Sequence, residues 1–310
     1  MEKHEIETDQ KRLSRSETQS GVAMSGIGAI LFGCPFFMLG VWINFVPYIS
    51  PEKVRVPFWI IHCAGATFFM AGLFLILQGV RGVIKQKWHK RMTEEFPNSK
   101  WKSDYAWKEN GFRVNGYRKP FRKFVILIGL LIFLGPFNVL FIDMDNLIAF
   151  PTFIIGVFDV VIILLFYKML YALMQAMKYG ISEFRFSSFP YYLGEKLEGR
   201  FVQKKVIATA KKIDVSLRCV KELYQNTGSG SNKSTTVVCY QTYQEKVTYI
   251  EGQDFNKYDD SLRIQFDLPS IGKSTNLISS PPMYWEVEVR AEVKGVDYDV
   301  LFLVPVYTKA

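Results

Sequence analysis

Four long uncharged runs, followed by a polar region with the spacing of β-strands, organise this chain. The runs cover residues 21–50, 56–80, 124–142 and 146–167, the last broken only by Asp159. A helix needs roughly 20 apolar residues to cross a hydrocarbon core of about 30 Å. Each run is therefore predicted to be a transmembrane helix, giving an α-helical membrane domain of four such helices. Beyond Gly180 the apolar period drops from about 3.6 to about 2. Segments 183–187, 214–220, 236–243, 262–269, 284–293 and 298–304 alternate in this way. In the fifth of them Glu286, Glu288 and Glu292 share one face, and Val287, Val289, Ala291 and Val293 the other. Many short strands with no helical pattern predict an all-β antiparallel sandwich, Ig-like in its general plan.

The boundaries follow from the same pattern. Residues 1–20 are polar and of mixed charge, which predicts a flexible N-terminus. Residues 21–180 hold the helices and a long loop at 81–123, and residues 181–310 the sandwich. Gly26, Gly33 and Gly40 recur every seventh residue of the first run, presenting one small-residue face to another helix. After the second run, Ile84, Trp88, Met92 and Phe96 recur every fourth residue among Lys85, Lys87, Lys90 and Arg91. That stripe predicts that the second helix runs on past the membrane, or that a helix at 81–96 lies along its inner surface, with Trp88 as an interfacial side chain. Trp101 and Trp107 fit either an interfacial anchor or packing against the sandwich. Pro136 is expected to end the third helix, and Gly180 to stop the fourth.

Charge sets the orientation. Residues 81–123 hold 13 Lys and Arg against 4 acids, a net of +9, equal to the net charge of the whole chain. Basic loops stay on the cytoplasmic side. The short connections after the first and third runs then lie outside, and both termini are cytoplasmic. In a bacterium this places the chain in the inner (plasma) membrane as a multi-pass protein. A basic patch flanking two spans is explained by the lipid bilayer, so no nucleic-acid partner is expected.

Chemistry is sparse. His4, His62 and His89 are scattered, and the four cysteines lack metal-ligand spacing, so neither a metal site nor a catalytic triad is predicted. The Gly/Ser stretch at 228–234 misses the phosphate-loop pattern. No cofactor and no enzymatic activity are expected. Cys219 and Cys239 flank the Gly/Ser stretch almost symmetrically, which predicts an antiparallel hairpin with the two thiols opposite each other. Buried reduced thiols and a redox pair are the two readings of that arrangement. Asp159 is the one acid within a run. An intramembrane carboxyl is costly and faces protein or water; His62 and Asn138 are its candidate partners. It either fixes helix packing or serves a proton or ion pathway.

Several stretches resemble arrestin-like β-sandwiches in their strand order. They are 194–201 with Gly194, Gly199 and Phe201, 266–269 ending in Pro269, and 281–293 with Pro281 and Trp285. The ending 295–306 and the loop 101–111 are similar to those of uncharacterised bacterial inner-membrane proteins with a cytosolic domain of this kind. The resemblance covers about half the chain, and its motifs are structural, so no catalytic residue carries over. It implies a cytosolic domain that binds another protein. The expected function is thus an inner-membrane protein presenting a β-sandwich as an interaction or scaffolding module. A small transporter or channel subunit using Asp159 is the alternative.

Overall fold

The computed structural model describes residues 5–7, 11–13, 18–19, 26–53, 57–142, 149–227 and 234–309. Among them are six α-helices: α1 (Ile27–Ile49), α2 (Phe58–Glu95), α3 (Lys100–Asp104), α4 (Arg118–Ile142), α5 (Ala149–Tyr179) and α6 (Lys204–Ile207). There are twelve strands. The first three are β1 (Glu5–Glu7), β2 (Lys11–Arg12) and β3 (Phe112–Asn115). Then come β4 (Ile181–Phe186), β5 (Tyr191–Tyr192), β6 (Lys196–Val202), β7 (Lys212–Thr227) and β8 (Ser234–Ile250). The last are β9 (Leu262–Asp267), β10 (Met283–Ala291), β11 (Tyr298–Val304) and β12 (Val306–Tyr307). The chain divides into two compact units. One is Ala23–Trp88 with Arg118–Leu173; the other is Met1–Val22, His89–Tyr117 and Met174–Ala310.

The helical unit matches the apolar runs with three amendments. First, among the described residues three helices are long and apolar enough to cross a membrane, against four apolar runs: Ile27–Ile49, Phe58–Glu95 and Gly156–Tyr179. α4 contains the third run, 124–142, preceded by a basic opening of Arg118, Lys119, Arg122 and Lys123. Second, Pro136 lies inside α4 and does not end it. Third, of the two readings of the stripe 84–96 the structure has the extension of the second helix, and no separate helix forms there. The stripe continues α2, whose 38 residues contain no proline and extend about 57 Å at 1.5 Å per residue. Trp88 is a half-buried residue of that continuous helix. The expected outer turn at 143–146 lies outside the described residues.

α1 and α2 pack antiparallel through glycine on both sides. A methyl group on Gly33 would sit 2.9 Å from the Gly72 carbonyl oxygen, and one on Gly72 would sit 2.8 Å from the Gly33 oxygen. Gly40 and Gly65 face each other in the same reciprocal way, at 2.7 and 3.0 Å, and a methyl on Gly79 would meet the Gly26 oxygen at 2.7 Å. Both helices therefore carry glycine every seventh residue, in matched register. Between helices in lipid no hydrophobic effect drives association, and close backbone contact of this kind is what can supply it.

The second unit is a sandwich of two antiparallel sheets. The large sheet has the order β1-β8-β7-β10-β11, with β2 also on β8; the small sheet has the order β3-β4-β6-β9. A short parallel pair, β12 with β5, lies apart from both. The inward residues of the two sheets form one core. Phe184, Leu197, Phe201, Ile264 and Phe266 come from the small sheet; Val215, Leu217, Trp285, Val287 and Phe302 come from the large one. Gly180 ends α5 in the left-handed region at φ +65°, its N–H donating to the Ala176 carbonyl at 2.7 Å.

Two parts of this unit come from outside residues 181–310. β3, from the basic loop, is an edge strand of the small sheet, Phe112 opposite Phe184. β1 and β2 come from the N-terminal region that was expected to be flexible. A sequence boundary at 181 therefore misses pieces of the sandwich that lie before and between the helices in the chain.

Candidate functional site

The outer face of the large sheet concentrates the unusual chemistry. β10 places Glu286 opposite Arg218 of β7, and Glu288 opposite Ser216. Arg218 donates from Nη2 to Glu286 at 2.5 Å and from Nη1 to Glu288 at 3.1 Å. Arg290 adds a bond to Glu288 at 2.6 Å and approaches Asp299 at 3.8 Å. Arg218, Glu286 and Glu288 are 3%, 1% and 4% exposed, although the alternation of β10 put these acids on its polar face. Alternation identified the face but not what covers it. Carboxylates at such depth are tolerable only when paired, and Arg218 reaches both at once.

Beside this ladder lies a second apolar cluster of Val220, Cys239, Leu277, Tyr284 and Leu303, against which Leu13, Tyr105, Trp107 and Phe112 pack. The sequence thus supplies apolar residues to both faces of the large sheet. A loop segment is fastened here by Asp104, a buried residue of α3. Its Oδ1 accepts the N–H groups of Leu277 at 2.6 Å and Ile278 at 3.2 Å, and its Oδ2 accepts the Tyr307 hydroxyl at 2.9 Å. Trp107 donates its indole N–H to the same hydroxyl at 2.9 Å. Trp101 meets the Phe189 ring edge-on, centroids 5.0 Å apart. Both tryptophans therefore pack on the sandwich. Asp104 itself was not singled out from sequence, because a lone Asp in a polar loop carries no pattern.

Burial raises the pKa of Asp104 above its ordinary value, and its three hydrogen bonds only partly oppose that. A carboxyl raised in the folded state favours folding when protonated. The contribution is complete below the unfolded value near 3.8 and is lost as pH rises through the folded value. Asp104→Asn should remove this pH dependence and cost about 1 kcal/mol from the altered bond to Tyr307. Chemical denaturation of both proteins from pH 4 upward checks it; parallel stability curves would refute the assignment.

In the helical unit Asp159 has one of its two candidate partners. The Asn138 amide of α4 donates to Asp159 Oδ1 of α5 at 3.0 Å. His62 is engaged elsewhere, its Nδ1 lying 3.0 Å from Asn44 Oδ1 and its Nε2 3.5 Å from the Tyr48 hydroxyl. Asn44 in turn donates to the Gly40 carbonyl at 2.8 Å. The structure thus places two separate polar links, one between α4 and α5 and one between α1 and α2.

The hairpin of β7 and β8 forms as expected around the Gly/Ser stretch, of which 228–233 lie outside the described residues. The thiols do not face each other. Cys219 is opposite Tyr243 and Cys239 is opposite Glu222. The hairpin centre lies further along than the symmetry estimate, and a bulge follows Cys219. The offset of three residues, about 10 Å along a strand, also puts the two on opposite faces, Cys219 in the main core and Cys239 in the outer cluster. Neither forms a disulfide. Burial pushes the Cys219 thiol up to about 11, against the activation a redox pair requires.

No protein-family model matches the chain, and no curated protein matches it. Among solved structures, the sporulation control protein Spo0M from Bacillus subtilis is similar at 12% identity and a TM-score of 0.25. The match covers 41% of this chain and 49% of that protein, so it spans about half of Spo0M. Likeness at this level carries no argument about fold or function.

Proposed function

We propose that the chain is a multi-pass protein of a bacterial inner membrane that presents its β-sandwich to the cytoplasm as a protein-interaction module, in the manner of the arrestin-like group it resembles. The observation that carries this reading is the joining of apolar helices to a complete sandwich within one chain. α1, α2 and α5 are fit to cross a bilayer, and α4, with its basic start, serves as the fourth crossing. The net charge of +9 at 81–123 puts that segment and both termini inside. Asn138–Asp159 and Asn44–His62 then act as packing contacts between helices, since each polar group has a partner on the neighbouring helix. The transporter or channel reading assigns Asp159 a proton or ion instead.

Fusing reporters after Lys309, and comparing the full chain with one ended at Tyr179 for crosslinking to other proteins in cells, tests the proposal. A cytoplasmic reporter signal and crosslinks that require the sandwich are expected. They should persist in Asp159→Asn, which keeps an acceptor for Asn138. A reporter active only outside the cytoplasm, or crosslinks unchanged by removing the sandwich, would overturn it.

A further inference from the structure

The edge of the large sheet at β8 is occupied by the chain's own N-terminal segment. Glu5, Ile6 and Glu7 pair with Lys246, Glu245 and Gln244, and Lys11 and Arg12 with Gln241 and Tyr240. The Leu13 N–H then donates to the Cys239 carbonyl at 2.9 Å. Leu13 packs on the outer cluster formed by Val220, Cys239, Leu277, Tyr284 and Leu303. Further on, the main-chain N–H of Gln19 donates to Glu222 Oε1 at 2.5 Å, on the next strand inward. Glu222 is 0% exposed, and the Tyr284 hydroxyl donates to the same oxygen at 3.1 Å.

Three features of this path suit an exchangeable ligand. Pairing along the β8 edge uses main-chain groups, which any extended segment provides. One side chain, Leu13, enters an apolar patch, which gives selection for an aliphatic residue. Glu222 takes a main-chain N–H six residues after that anchor, so this contact also ignores side-chain identity. The pairing strands are three and two residues long, against 17 for β8. Among the described residues the paired stretch is therefore much shorter than β8.

We propose that the β8 edge and the adjoining patch are a docking site for an extended segment of a partner protein with an aliphatic anchor. In this structure the chain's own residues 5–7, 11–13 and 19 occupy that site in cis. The proposal rests on the reading of the sandwich as an interaction module, and it locates the interaction. Docking by a partner displaces the N-terminal segment, so the segment sets a threshold that a partner must exceed.

The test uses the full chain in detergent micelles and a labelled synthetic peptide of residues 1–20. Wild type, Leu13→Asp and a form lacking residues 1–19 are titrated with it. The peptide should bind the two altered forms at least roughly tenfold more tightly than wild type, and a peptide carrying Leu13→Asp should bind none. Binding to none of the three proteins, or equal binding to all, overturns the proposal. So does loss of cooperative unfolding in both altered forms, which would make the segment an integral strand. If the peptide fails while sandwich-dependent crosslinks persist in cells, the docking site falls and the interaction module stands.

Discussion

Gly72→Ala should destabilise the helical unit sharply, while Gly129→Ala should leave it unchanged or slightly firmer. A methyl on Gly72 would meet the main chain of Phe37 as well as the Gly33 carbonyl oxygen at 2.8 Å. Backbone cannot rotate aside as a side chain can, so the helices must separate. Overpacking of this kind costs about 1–3 kcal/mol, and much of the association depends on the same contact. Around Gly129 nothing lies within 4 Å of the added methyl, and alanine is the better helix former by about 1 kcal/mol. Gly72→Leu should yield no folded protein. Thermal unfolding in detergent compares the three, and equal midpoints for the two alanine variants would dismiss the glycine interface.

Arg218→Met should cost about 3–5 kcal/mol in the sandwich, the range for removing one partner of a buried charge cluster. The reason is less the lost bonds than what remains. Glu286 and Glu288 are 1% and 4% exposed, and without Arg218 the first of them loses its partner at 2.5 Å. Neutralising the acids as well, with Glu286→Gln and Glu288→Gln, should recover much of the loss, because no buried charge is then left over. Urea unfolding of wild type, single and triple variants measures this. A single variant as stable as wild type would mean that the cluster is solvated, contrary to its burial.

The apolar runs were legible because crossing a bilayer imposes length and composition together. The end of α5 followed from Gly180. The end of α4 did not, because a proline inside an apolar helix reads as a stop, and α4 continues past Pro136. Gly26, Gly33 and Gly40 predicted a packing face. Their counterparts Gly65, Gly72 and Gly79 have the same spacing of seven and were there to be found. The strands announced themselves by alternation, but alternation assigns residues to faces without saying what lies over each face. That is why the depth of Glu286 and Arg218 was hidden. The register of Cys219 and Cys239 failed for a related reason: loop symmetry locates a hairpin, whereas its centre and a single bulge decide which residues meet.

One feature of the sandwich bears on how the chain is made. β3 pairs with β4, and Asp104 bonds to Leu277 and Tyr307, 173 and 203 residues further on. α4 and α5 are synthesised in between. At about 5–20 residues per second, Trp107 is made about 10–40 seconds before Tyr307, and Trp101 about 4–18 seconds before Phe189. Through that interval a basic, aromatic stretch has no complete sheet to join, and two long apolar helices are made before it can. The sandwich closes only when translation is nearly over, which makes this stretch a natural client for whatever attends nascent chains at the membrane.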